Sequence, residues 1–202
     1  MPKAEIFRRL GLFAVEGFAD ADMCGRLCAE MRSAAQAAAT VRSPGGTFVV
    51  DESVRSVKWV SLADETTALV QSRLVDVKPA VEAHFGLVLT DCQVPQFLAY
   101  GPGDFYRAHR DNSTDRDAPT VSQERRVSAV LFLNAPADQP GENRYGGGAL
   151  TFYGLMDDPR MTTVGLPLEA DEGLLIAFRA DTVHGVAPVT HGLRYTAVSW
   201  FR

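Results

Sequence analysis

A chain of 202 residues with 46% apolar and 22% charged side chains is within reach of a single domain that buries about 70% of its unfolded surface, and it is unlike a disordered or collagenous protein. Its formal net charge of -5 argues against a broad basic footprint for nucleic acid. No apolar run approaches the roughly 18 residues that suggest a membrane span, the longest late one being Gly173 to Phe178.

At the N-terminus, Arg8 and Arg9 precede a short apolar stretch that Glu16 interrupts, too brief and too polar for a secretory signal. Asp20 is placed to cap a helix running through Met23, Leu27 and Met31 into the strong helix formers of Ala34 to Ala39. Cys24 and Cys28 lie one turn apart in it as packing residues. With Cys92 they make an odd number of cysteines without metal-ligand spacing, which fits a reducing cytoplasm. A second amphipathic pattern, Leu62 to Phe85, passes through Leu69, Leu74 and Val81, and Pro79 is expected to kink or divide it.

From about Leu87 the text changes to short apolar runs punctuated by Gly, Pro and Asn: Val94 to Tyr100, Val127 to Asn134, Ala149 to Tyr153, Leu174 to Phe178 and Tyr195 to Phe201. Such spacing predicts a β sandwich or barrel. Val127 to Leu133 is nearly continuous in apolar residues, as expected of a central strand covered on both faces. Gly146, Gly147 and Gly148 mark a turn entering the next strand. The fold class is therefore mainly β with supporting helices, in a single domain over 1–202, where 1–86 is a mainly helical support braced against one sheet and 87–202 is the catalytic core. No repeat or low-complexity tail interrupts it.

Chemistry concentrates in the second half. His109 and Asp111 stand two apart in Phe105-Tyr106-Arg107-Ala108-His109-Arg110-Asp111, so one extended strand presents both to the same side. His184, delivered from a distant strand, completes two imidazoles and a carboxylate, the facial set that leaves positions open on non-heme Fe(II). A His-x-Asp tripeptide is common by chance; of the four histidines, His84 and His191 read as a helix residue and a turn residue. Arg194 offers a planar fork of donors for a carboxylate. Strand alternation puts Thr196 and Trp200 on the same side as Arg194, although Trp200 is read equally well as a core aromatic. The same ligand types admit Zn(II) in a hydrolase or isomerase, and the metal residues alone admit a non-catalytic metal-binding barrel serving as a small-molecule sensor or binding module. A dicarboxylate anchor beside the metal set has no role in either, whereas open positions on Fe(II) suit oxygen chemistry.

The stretch Tyr100-Gly-Pro-Gly-Asp-Phe-Tyr106-Arg-Ala-His109-Arg-Asp111, followed by Leu131-Phe132-Leu133-Asn134, Gly147-Gly148-Ala149-Leu150 and His184 through Trp200, resembles the prolyl 4-hydroxylase-like branch of the 2-oxoglutarate and Fe(II)-dependent dioxygenase superfamily over Val94 to Phe201. The resemblance implies a double-stranded β-helix, or jelly-roll, cupin-like core. It implies iron on His109, Asp111 and His184, and 2-oxoglutarate held at its distal carboxylate by Arg194 and Tyr100; Thr196 is added from strand alternation. The reaction implied is hydroxylation of an unactivated C–H bond by O2 with release of succinate and CO2, with ascorbate as a stimulatory reductant. The substrate implied is a peptidyl proline, a free amino acid or another small metabolite. Related halogenases replace the carboxylate ligand with a small residue, and this chain keeps Asp111. Phe132 stands where many prolyl hydroxylases carry tyrosine, and arginine at 194 where the collagen type carries lysine. Upstream, Val54 to Trp59 is similar to a segment near the family's substrate mouth, which makes Arg55 a substrate-binding candidate together with Trp200, and Lys58 a solvated loop charge. The polar stretches Asn112 to Arg125 and Pro136 to Tyr145 are expected to act as lids. Neither nucleic acid nor membrane is an expected partner, and no oligomeric state follows from the sequence.

Overall fold

Residues whose side chains are apolar on both faces of a strand require cover on both sides, and that requirement organises the molecule. A computed structural model of the chain describes residues 3–42, 48–49, 51–115, 118–155, 162–168 and 170–202. Its N-terminal elements are α1 (Lys3–Arg9), β1 (Phe13–Val15), α2 (Ala21–Ser33), β2 (Gln36–Ala38), β3 (Val41–Arg42), β4 (Phe48–Val49), β5 (Arg55–Ser56), β6 (Lys58–Val60) and α3 (Asp64–Phe85). There follow β7 (Gln96–Tyr100), β8 (Phe105–His109), α4 (Thr120–Gln123), β9 (Val127–Phe132), β10 (Ala135–Pro136), β11 (Arg144–Gly147) and β12 (Leu150–Tyr153). The chain closes with β13 (Gly165–Leu168), β14 (Leu175–Arg179), β15 (Val183–Val186), β16 (Val189–Gly192) and β17 (Arg194–Phe201).

A seven-stranded sheet runs β1-β14-β9-β17-β7-β6-β2, and a five-stranded sheet runs β13-β12-β15-β8-β5. Side chains from both meet in one apolar cluster: Leu98, Val130, Phe132, Ile176 and Phe178 from the larger sheet, Leu150, Phe152, Leu168 and Val186 from the smaller. The arrangement is a double-stranded β-helix. The outer face of the larger sheet, carrying Phe97, Val127, Leu131, Tyr195 and Phe201, packs under Met23, Leu27 and Met31 of α2 and Val70, Leu74 and Val81 of α3. Each such side chain taken out of water contributes about 1.5–3 kcal/mol. The near-continuous apolar run of β9 is therefore a central strand, buried at all six positions.

Helix α2 begins as expected, the Asp20 carboxylate accepting a 2.7 Å bond from the Met23 N–H. It ends earlier than propensity predicts. Ala34 is already extended, with φ -80 and ψ 162, and Gln36 to Ala38 form β2, paired antiparallel with Val60 to Lys58. The few tenths of a kcal/mol per residue by which alanine prefers helix are outweighed by pairing the otherwise open backbone edge of β6. Helix α3 is not divided: Pro79 lies inside one continuous helix, on an exposed face where water can serve the carbonyl left without a partner. Its start has no cap of its own. Glu30 of α2 accepts from the Ala63 N–H at 2.8 Å and the Thr66 hydroxyl at 2.9 Å instead. Cys24, Cys28 and Cys92 are free and buried. Burial pushes the first two thiols up to about 11 and about 12, so they are inert packing groups, as expected. His84 is a helix residue, but His191 lies in β16 opposite Gly146 rather than in a turn. Among the described residues no helix is long and apolar enough to cross a membrane.

Candidate active site

Alternation in the central strands places the functional side chains. On β17, Tyr195, Ala197 and Phe201 face the helices, while Arg194, Thr196, Val198 and Trp200 face a cavity of about 850 Å³ between the sheets. Antiparallel register sets Arg194 opposite Tyr100 of β7, and Thr196 opposite Phe132 and Trp200 opposite Ser128 of β9. On the facing sheet, β15 pairs with β8 so that His184 lies directly opposite His109, with an irregularity in the ladder just beyond. A Cβ at Gly185 would come within 2.8 Å of the Tyr106 carbonyl oxygen, so only glycine allows the two strands this approach beside both imidazoles.

His109, Asp111 and His184 each offer a ligand atom, all within 4.8 Å of one another. His109 Nε2 stands 3.4 Å from Asp111 Oδ1, and His184 Nε2 stands 3.5 Å from Oδ2. Each imidazole turns its other nitrogen to a backbone carbonyl: His109 Nδ1 to Arg107 at 2.8 Å and His184 Nδ1 to Thr182 at 3.0 Å. A carbonyl only accepts, so both rings carry the proton on Nδ1 and aim the Nε2 lone pair at the centre of the triad. That donor set suits a divalent transition metal. Tyr106 stacks on His109 with centroids 3.7 Å apart, and Phe178 packs its edge against His184 at 4.6 Å, which limits ring rotation.

Asp111 lies just beyond β8 and is held from several sides. Its N–H donates to Ala180 at 3.0 Å. The Ser128 hydroxyl donates to Oδ2 at 2.6 Å, and Arg125 donates to its backbone carbonyl at 3.3 Å. Burial opposes ionisation of this carboxyl, but positive charge at the centre, which His184 and His109 supply when protonated, and the Ser128 hydrogen bond outweigh it and hold the group well below the usual carboxylate range. Burial likewise lowers His184, with Asp111 partly opposing, so the ring favours the neutral form that a metal ligand needs.

The other end of the cavity is built around a guanidinium. Arg194 is 1% exposed, with its guanidinium carbon 5.0 Å from the Tyr100 ring and 5.3 Å from Phe132. Its Nε and the Thr196 hydroxyl are buried without a hydrogen-bond partner. Burial pushes the Tyr100 phenol up to about 12, which keeps it a donor. Gly148, at φ +62, leaves room for this arginine: a Cβ there would sit 2.9 Å from Arg194 Cδ and 2.9 Å from Val189 Cγ2. Gly148→Ala is accordingly expected to cost about 1–3 kcal/mol of stability, the usual penalty of overpacking plus strain. Thermal or denaturant unfolding measures it, and an unchanged midpoint would show that Arg194 gives way freely.

Every sequence candidate thus borders this one cavity: His109, Asp111, His184, Arg194, Tyr100, Thr196, Arg55 and Trp200. Within Asn112 to Arg125, positions 116 and 117 lie outside the described residues, while Asn112, Ser113, Asp115, Pro119, Val121 and Arg125 line the cavity. Between Pro136 and Tyr145 no described residue does. Sequence reasoning passed over Ser128 and Gln93, and it gave no separate role to Arg125, at the end of the stretch expected as a lid, or to Trp59, at the end of the segment likened to the substrate mouth. Ser128 left a trace, as a hydroxyl inside an apolar strand on the same alternation as Phe132.

The model of the 2OG-Fe(II) oxygenase superfamily matches residues 95–202, more than half of the chain and all of the residues just described except Arg55, Trp59 and Gln93. The chain belongs to that superfamily. Among curated relatives it is similar to a PKHD-type hydroxylase of Klebsiella pneumoniae strain 342, at 26% identity over 159 residues, 71% of this chain and 65% of that one. It is similar also to one of Synechococcus sp. strain JA-2-3B'a(2-13), at 36% over 101 residues, 50% of this chain and 39% of that one. The chain therefore spans less than two thirds of the length of either relative. Among solved structures, a Pseudomonas putida prolyl-4-hydroxylase is 26% identical with a TM-score of 0.68, over 98% of this chain and 96% of that one. A Trichoplax adhaerens prolyl hydroxylase in complex with a hypoxia inducible factor peptide fragment shares the fold, at 16% identity and a TM-score of 0.70, over 98% of this chain and 86% of that one.

Proposed function

We propose that the chain is an Fe(II)- and 2-oxoglutarate-dependent hydroxylase, with His109, Asp111 and His184 holding the iron and Arg194, Tyr100 and Thr196 holding the distal carboxylate of 2-oxoglutarate. The observation that carries this reading is the pairing, in one cavity, of a two-His, one-Asp cluster with a buried arginine whose Nε and neighbouring hydroxyl lack acceptors. A metal site alone has no use for such an anchor, which disfavours the sensor and zinc readings. When bound, iron supplies activation of dioxygen and 2-oxoglutarate the electrons for it, yielding succinate, CO2 and a hydroxylated C–H bond.

The protein's own residues bind, orient and exclude. Arg194 neutralises and aligns the dicarboxylate in a low-dielectric pocket where one charge-assisted fork is strong. The Nδ1 bonds fix both imidazoles before metal arrives, and Tyr106 and Phe178 keep their planes. Ser128 occupies one lone pair of Asp111 Oδ2 and so sets the carboxylate's rotation. Ser128→Ala is expected to weaken Fe(II) binding about 10–100-fold, the range typical of lost partners of metal ligands, while Ser128→Thr keeps the hydroxyl and most of the affinity. Competition against a chelator measures both, and equal affinities in all three proteins would remove Ser128 from this role.

The substrate proposed is a peptidyl proline, a free amino acid or a similar small metabolite, a choice supported by the prolyl-4-hydroxylase likeness. Three buried, unpaired thiols fit a reducing compartment. Succinate release with Fe(II), O2 and 2-oxoglutarate over a panel of prolyl peptides, amino acids and metabolites tests the reading. Absence of turnover with and without every substrate would leave a binding module.

A further inference from the structure

Resting on the reading above, the loaded centre is balanced in charge without two of the arginines beside it. A divalent ion, the Asp111 carboxylate, a dicarboxylate and the Arg194 guanidinium sum to zero. Arg110 and Asp115, also bordering the cavity, offset one another. Arg55 and Arg125 are left over.

Both are part-buried, and the hydrogen bonds they make go to neutral groups. Arg55 Nη2 donates to the Thr40 carbonyl, and its guanidinium carbon stands 5.0 Å from the Tyr106 ring and 5.6 Å from Trp59. Arg125 lies 3.5 Å over the Trp200 ring and donates to Gln93 Oε1 at 3.3 and 3.4 Å and to the Asp111 carbonyl at 3.3 Å. Among the described residues neither forms an ion pair. The same walls are short of acceptors: Arg55 Nε, Trp59 Nε1 and Trp200 Nε1 are buried with no partner. Part-buried cations without an ion pair, beside buried donors without acceptors, are costly unless a ligand supplies negative oxygen. The field of the chain as a whole, net -5, does not favour an anion, so the selection is local.

We propose that the substrate carries an anionic oxygen group, a carboxylate or its equivalent, near the carbon to be hydroxylated, and that Arg55 and Arg125 recognise it against the Trp59 and Trp200 rings. That group can be an acidic side chain in a peptide or the free carboxylate of an amino acid.

The chain has two tryptophans, and both line this cavity, so intrinsic fluorescence reports its occupancy. The protein is loaded with Fe(II) and 2-oxoglutarate without oxygen. It is then titrated with capped tetrapeptides that carry Glu, Gln or Lys before a proline, and with L-proline against L-prolinamide. The acidic member of at least one pair is expected to bind on the order of tenfold tighter than its neutral partner, and the Lys peptide weakest. The pair that shows the preference names the source of the carboxylate. Equal binding, or no binding, by acidic and neutral members of both pairs overturns the proposal, as does preference for Lys. In Arg55→Gln and Arg125→Gln the preference is expected to fall toward unity, and a preference intact in both overturns the assignment. Succinate formed from 2-oxoglutarate without any peptide is measured in parallel: turnover with no charge preference removes the anion proposal alone, whereas its absence counts against the oxygenase reading itself.

Discussion

Replacing Asp111 with alanine is expected to lower Fe(II) affinity by about 10²–10³-fold and to abolish 2-oxoglutarate turnover. The substitution removes the one anionic ligand and leaves two imidazole lone pairs facing the ion alone. Removing one partner of a buried charge pair costs about 3–5 kcal/mol, which is roughly two to four orders of magnitude in binding, and the lower part of that range applies because two ligands remain. The Ser128 hydroxyl, 2.6 Å from Asp111 Oδ2, loses its acceptor at the same time, while the Arg125 bond to the backbone carbonyl of residue 111 remains. Anaerobic metal titration and succinate release measure the two effects separately. Undiminished turnover in Asp111→Ala would take Asp111 out of the ligand set and leave the cluster without a metal role.

Replacing Arg194 with alanine acts at the other end of the cavity. Affinity for 2-oxoglutarate is expected to fall about 10²–10³-fold, because an unpaired dicarboxylate would then be buried against Tyr100 and Thr196 alone. Fe(II) affinity is expected to stay within a few-fold of the parent, since no metal-ligand candidate contacts this arginine among the contacts described. Arg194→Lys keeps the charge and loses the fork, and it is expected to fall between the two. Titration of the iron-loaded protein with 2-oxoglutarate under anaerobic conditions decides it. An unchanged dissociation constant in Arg194→Ala would contradict the anchor role, and equal losses of iron and 2-oxoglutarate binding would point to collapse of the cavity.

The site was legible where strand alternation operates. Arg194, Thr196 and Trp200 were expected on one side of one strand, and they share one wall because β17 is central and both its faces are occupied. His109 and Asp111 share a side although Asp111 lies past the end of β8, since its backbone is tied to Ala180 rather than to the ladder. What escaped were the contacts made across sequence separation: Ser128 on Asp111 and Gln93 on Arg125. No periodicity links such pairs, because each is made by the meeting of two sheets or by a loop folded over them.

Local composition also misled in identifiable ways. The alanines of 37 and 38 prefer helix in isolation and become strand because β6 needs a partner, and His191 looks like a turn residue beside Gly192 yet sits in β16 opposite Gly146.

By itself the sequence determined the chemical inventory: which side chains can ligate a metal, which can anchor a dicarboxylate, and which strands are apolar enough on both faces to be central. Those properties reside in residue type and in a period of two, and they survive without knowledge of partners. The tertiary structure alone decided register and depth: that His184 falls opposite His109, that Gly148 leaves space for Arg194, and that Arg55 and Arg125 line one cavity part-buried, with no ion pair among the described residues. The reason is physical. Burial, hydrogen-bond satisfaction and charge balance belong to the space between elements, and no single segment encodes how closely another will approach it.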